Sequence, residues 1–232
     1  MVFLGTLVLA TAGVAVCQEP PTRESPSTAP AQPPEDNHIY GVLPGYKVID
    51  NAPDIPPLSA KQKFAVAQKD SLDWSVYVMS AGFAGLAQIQ NQNPSFGQGV
   101  KGYAERYGGA LADQVSGAFL TEAIFPSLLH EDPRYFRRNR GSVWRRTGYA
   151  ASRIVVTRTD SGGQQFNFSE IAGNCVTVAV SNAYNPQTRD IPDNLEKFGM
   201  RLGTDLITNV LAEFWPDIKR KLFHRRESAS TP

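Results

Sequence analysis

The sequence predicts an all-α fold: a compact bundle of about five helices rich in Gly/Ala contacts, led by an extended N-terminal strap. Three observations predict it. Leu195, Phe198, Leu202, Leu206, Val210, Phe214 and Ile218 recur at threes and fours, the period of one helix face. Ser, Asn and Asp-Pro or Asn-Pro pairs punctuate the chain where such stretches would start and stop. Ala104, Gly108, Ala112 and Ser116 stand four apart, a small-residue stripe that lets two helix backbones approach. A glycine inside a helix costs about 1 kcal/mol relative to alanine. Gly82, Gly85, Gly108, Gly109 and Gly117 therefore imply close contacts that offset it.

The elements follow in order. Residues 1–17 form an uncharged apolar run ending in Ala15-Val16-Cys17. Its length and small-residue end fit a secretory signal peptide, with Gln18 as the mature start, although no Lys or Arg precedes the run. Residues 18–40 are rich in Pro, Ser and Thr and read as a disordered tether. The helical domain spans 41–223, its first part, 41–58, a proline-broken extended strap. Ser59 with Gln62 makes a capping box for the first helix. A stretch from Ser71 continues to the stop at Asn91–Pro94, and a long helix runs on to Pro126. A third helical stretch opens at Ser142 and a fourth at Ser169, read as its N-cap, with Asn185-Pro186 beyond its end. Between them Asp160 to Gly163 is a tight turn, open to a short hairpin. The last helix carries the apolar stripe, with Pro216 kinking its final turn, and 224–232 is a polar tail. Once the signal is cleaved, Cys175 is a lone cysteine among small apolar residues, expected as a buried inert thiol.

Charge is near balance, 23 basic against 22 acidic residues, but unevenly spread. Between Pro133 and Thr159 lie Arg134, Arg137, Arg138, Arg140, Arg145, Arg146, Arg153 and Arg158, with no lysine and no acid. Guanidinium matches phosphate and carboxylate geometry and stacks on rings, and Tyr135, Phe136, Trp144 and Tyr149 are interleaved. Arg134, Arg137, Arg138, Arg145, Arg146, Arg153 and Arg158 are thus candidate anion-binding residues for an anionic membrane surface or an envelope partner. The competing expectation is internal pairing with acids such as Glu105, Asp113, Glu122 and Glu170. Export argues against nucleic acid. Residues 74–100 carry no charge, yet the apolar part, 74–87, falls short of the roughly 20 residues a span needs.

"SLLHEDPRYF" offers a second chemistry. His130 and Asp132 could act as a base and its orienting acid, with Arg134 on an oxyanion, which would make an envelope hydrolase or a binder of a phosphorylated or carboxylated ligand. Against it, Asp132-Pro133 reads as a helix stop with His130 in the last turn. No zinc-ligand spacing, nucleophile elbow or phosphate loop occurs, and a lipid-phosphatase pattern begun at Ser152-Arg153 fails at Thr159. No cofactor and no metal is expected.

The phrases "ADQVSGAFLTEAIFPSLLHEDPRYF", "TRTDSGGQQFNFSEIAGN" and "SNAY", in that order, resemble a family of exported bacterial cell-envelope proteins of unassigned function. The resemblance covers about residues 41–223. It implies a helical envelope protein and transfers no site.

Overall fold

In the computed structural model, the described residues are 38–39, 43–44, 47–50, 55–185 and 187–229, of which 38–39, 43–44 and 222–229 are described as backbone only. The signal peptide expected at 1–17 and nearly all of the tether lie outside them.

Strand β1 (His38–Ile39) pairs antiparallel with β2 (Leu43–Pro44), and β3 is Val48–Asp50. Helix α1 (Ala60–Ser71) starts at Ser59, whose hydroxyl accepts from the Gln62 N–H while the Gln62 side chain accepts from the Ser59 N–H. Asp73 caps α2 (Trp74–Ile89) by accepting from the Ser75 N–H. After a 3₁₀ turn at Pro94–Phe96, α3 (Val100–Ala118) leads into a π-helical turn, Phe119–Ile124, and then α4 (Phe125–Leu129). Next come β4 (Glu131–Asp132), β5 (Tyr135–Arg137) and α5 (Val143–Ser152). The hairpin of β6 (Val156–Thr159) and β7 (Gln164–Phe166) turns at residues 160–163 and adds antiparallel to β4. Helices α6 (Phe168–Tyr184) and α7 (Ile191–Ala229) complete the chain.

The body is mainly helical, with short strands beyond the one hairpin to which the sequence left 160–163 open. These strands follow from the segments between helices: β3 lies parallel to β5, Val48 opposite Tyr135, giving the arginine-rich segment a backbone partner. Helix α7 continues through Pro216 to Ala229, so the polar tail expected from 224 is helical backbone as far as 229. The N-cap of α6 is Asn167 rather than Ser169.

Helix α3 packs against both α2 and α6, and α5 and α6 each pack on α7. The small-residue stripe is only partly what brings them together. An added Cβ on Gly82, Gly85 or Gly108 would meet nothing within 4 Å, whereas at Gly173 it would come within 2.7 Å of Thr121 in the π turn. At Gly117 the intruder would be met by the Arg201 guanidinium, which crosses the helix there. Close approach is thus set at Gly117 and Gly173, neither of which belongs to the four-apart stripe.

Polarity is inverted. The buried residues of α6 are Ser169, Gly173, Asn174, Thr177, Val178 and Ser181, while Phe168, Val176 and Val180 are exposed. On α2, Ser75, Ser80 and Ala84 are buried, and Trp74, Tyr77, Val78, Leu86 and Ile89 are exposed. Leu195 of the α7 stripe is exposed, and none of its other members is fully buried. The apolar cluster that does form is small: Tyr135, Ala150 and Ala212, with Val48, Tyr149 and Trp215 against it. Cys175 is a free, exposed thiol. The expectation of a buried thiol fails because α6 turns its Ser/Asn/Thr stripe inward and its apolar side out.

Candidate functional site

The arginine segment is anchored from beneath by Glu213. This carboxylate is wholly buried and accepts from the Tyr135 hydroxyl (3.0 Å), the Arg138 and Asn139 N–H groups (2.9 Å each) and Arg146 Nε (2.9 Å). Arg146 also donates to Asp217 and to the Glu213 carbonyl. Asp217 is held below the usual carboxylate range chiefly by that hydrogen bond from Arg146. Arg134 forks onto Asp132 (2.9 and 2.6 Å) and reaches the Pro56 carbonyl at 2.6 Å. Arg137 pairs with Asp50 at 3.1 Å. Arg153 lies over the Tyr149 ring and Arg158 over Phe136. The acids that take up Arg134, Arg137 and Arg146 are therefore Asp132, Asp50, Glu213 and Asp217, not the Glu105, Asp113, Glu122 and Glu170 expected from sequence.

The rest of the segment faces outward. Residues 138–145 are all exposed, including Arg138, Arg140 and Arg145, with Trp144 87% exposed and Val143 beside it. This tip holds no acid.

The His-Glu-Asp triplet divides into three separate roles. His130 ends α4 in a left-handed conformation (φ 55°), its side chain 85% exposed and its Nδ1 4.0 Å from Asp160. Glu131 is buried and accepts from Gln165 Nε2 and from the Phe168 and Ser169 N–H groups. It thereby satisfies donors that the first turn of α6 leaves free. Asp132 is occupied by Arg134. A cavity of about 70 Å³ brings together Asp132, Arg134, Arg153 and Arg158, but His130 does not line it. A water's share of liquid volume is about 30 Å³, so this space has room for a couple of waters rather than a metabolite.

The same small cavity touches a group that the sequence pattern passes over. Lys47, beside β3, donates to Glu122 of the π turn at 2.6 Å. Burial alone would lower the Lys47 pKa, but Glu122, Asp70 and Asp205 together raise it. Asp70 is pushed well up by burial and by its hydrogen-bonded neighbour Glu122, and Glu170 likewise by burial and Asp205. Two neighbouring carboxyl pairs, Asp70 with Glu122 and Glu170 with Asp205, thus flank one ammonium, and in each pair burial and the second carboxyl favour the neutral form of Asp70 and of Glu170. Glu122 in "AFLTEAIF" and Glu170 in "NFSEIAG" are lone acids among apolar and small residues. That isolation is the signal that could have found them. Among the described residues no group of His, Cys, Asp and Glu is arranged to hold a metal.

A larger cavity, about 280 Å³, lies among α2, α3, α6 and α7. Asp205 lines it and the small one alike. Among the described residues, no helix is long and apolar enough to cross a membrane. No family model matches the chain, and no curated protein and no solved structure is significantly similar to it.

Proposed function

We propose that this is an exported, non-enzymatic protein of the bacterial cell envelope that seats its apolar helix faces in the lipid surface and its arginine–tryptophan tip among anionic headgroups. The observation that carries the reading is the inverted polarity of α2 and α6, with Ser, Asn and Thr inside and Trp, Phe, Tyr, Leu and Val outside. Residues 74–100 and 171–188 hold no charge, so neither outer face opposes an apolar phase. Exposed apolar residues grouped along helix faces in this way mark an interaction site. Lipid is the occupant that makes no demand for hydrogen bonds along two helices. At 16 residues, α2 is about 24 Å long, suited to lying in the interface or dipping into it. The tip supplies long cationic side chains beside an indole, which sit at headgroup depth.

Flotation with vesicles tests this. The purified chain should float with phosphatidylglycerol-containing vesicles, and less with pure phosphatidylcholine. High salt should remove the difference between the two lipids and leave residual binding through the apolar faces. Trp144→Ala with Arg140→Glu should reduce the anionic preference. A chain that stays in the soluble fraction with anionic vesicles at low salt ends the proposal. So does a dimer that buries α2 and α6 against a second copy and ignores vesicles.

A further inference from the structure

The larger cavity has two unlike sides. Its α2 wall is Phe83, Ala84, Leu86 and Ala87, and Met200 faces it from α7. Leu86 and Met200 line the cavity and are each about half exposed (46% and 50%), which puts them where it opens to solvent. The other side carries Lys197 and Arg201. Lys197 Nζ donates to Asn182 Oδ1 (3.0 Å) and the Thr188 carbonyl (2.6 Å), two of the three bonds an ammonium can make. Arg201 donates to Asn174 Oδ1 (2.6 Å) and the Asp113 carbonyl (3.3 Å). Neither forms an ion pair among the described residues.

Three acids also line this space; two are held by neighbouring side chains and the third faces solvent. Asp113 accepts from Tyr184 (2.5 Å) and Ser181 (3.3 Å), and burial raises its pKa. Asp205 shares a hydrogen bond with Glu170. Glu196 is exposed. Two further lining residues, Asn93 and Thr188, carry side-chain oxygens without a hydrogen-bond partner, and Asn93 is nine-tenths buried. A site with an apolar wall and two cations that form no ion pair among the described residues, although Asp113 lies near both, has the build of a ligand pocket.

From this we infer that the cavity binds one single-chain amphiphile with an anionic head, a carboxylate or a phosphate. The head lies at Lys197 and Arg201, and the chain leaves between Leu86 and Met200. The assignment rests on the proposed seating in lipid for the source of its ligand, but its chemistry is testable without vesicles.

Titration calorimetry of the purified chain with dodecyl phosphate and with dodecanoate, each below its micelle concentration, reads it directly. One saturable site per chain is expected for at least one of the two, and whichever binds tighter names the head. Dodecyl maltoside, with the same tail and a neutral head, should bind at least about tenfold more weakly, and inorganic phosphate alone should not bind measurably. Lys197→Met should weaken the preferred probe about tenfold, with Lys197→Arg retaining it. Because Lys197 also ties Asn182 to the Thr188 carbonyl, Leu86→Trp at the half-exposed mouth gives an independent block and should abolish binding in a folded chain. Equal affinity for maltoside and the anionic probes overturns the inference, as does unchanged binding in both Lys197→Met and Leu86→Trp. Flotation without probe binding removes the cavity assignment alone. Probe binding without flotation upholds the cavity and removes the membrane seating.

Discussion

Glu213 is the residue on which the arginine segment turns, as Glu131 is for the start of α6, and both accept from backbone as well as side chains. Glu213→Ala leaves Arg146, two N–H groups and the Tyr135 hydroxyl without their common acceptor. Loss of one partner from a buried charged network costs about 3–5 kcal/mol, which urea unfolding should register. Two glycines give opposite expectations. Gly173→Ala would place a methyl within 2.7 Å of Thr121 Cγ2 and 3.2 Å of the Thr121 backbone and should destabilise by about 1–3 kcal/mol. Gly108→Ala meets open space and should stabilise by up to about 1 kcal/mol. The carboxyl pairs fix a pH trend. Asp70 and Glu170 have folded pKa values above their ordinary ones, so the folded state holds their protons more tightly than the unfolded chain. Their contribution is present below the ordinary carboxylate range and is lost as pH rises through the elevated values. Thermal midpoints should therefore fall as pH is raised from about 5 upward, less steeply in Glu170→Gln.

Among the elements, helix limits were the most legible. The Ser59/Gln62 box, the Asn91–Pro94 stop and the start after Ser142 all stand where local chemistry puts them. A cap needs only neighbours in sequence. The α6 start was misplaced by two residues: Asn167 caps it locally by accepting from the Glu170 N–H, while Ser169 lies in the first turn, where its N–H goes to Glu131, a partner distant in sequence. The strand pairs were harder to see, since β3 finds β5 across the chain. Periodicity found the apolar stripe of α7 but not how deeply it would be buried. A pattern of period 3.6 separates two faces and does not say which of them meets solvent. Of the candidate site, the arginines were visible as a block. Which of them Asp132, Asp50 and Glu213 would engage depended on the fold. Lys47 and the carboxyl pairs, dispersed from β3 to α7, were invisible as a group.

For the molecule as a whole, the outward apolar faces make Cys175 a reporter. It sits on the exposed side of α6 beside Val176. Its labelling by a water-soluble maleimide should be fast in the free chain and slow several-fold once anionic vesicles are added. Equal rates would mean that this helix is not the face that meets lipid.

Lys47 reaches the acid-lined interior from the N-terminal side of every helix, through the short strand that docks on β5. A protein shortened to begin at Ser59 would keep all its helices and forfeit that counter-charge. Its carboxylates could then be neutralised only from solution. The shortened chain should fold at mildly acid pH and come apart as the medium is brought to neutrality, which would make the leading segment a built-in substitute for protons.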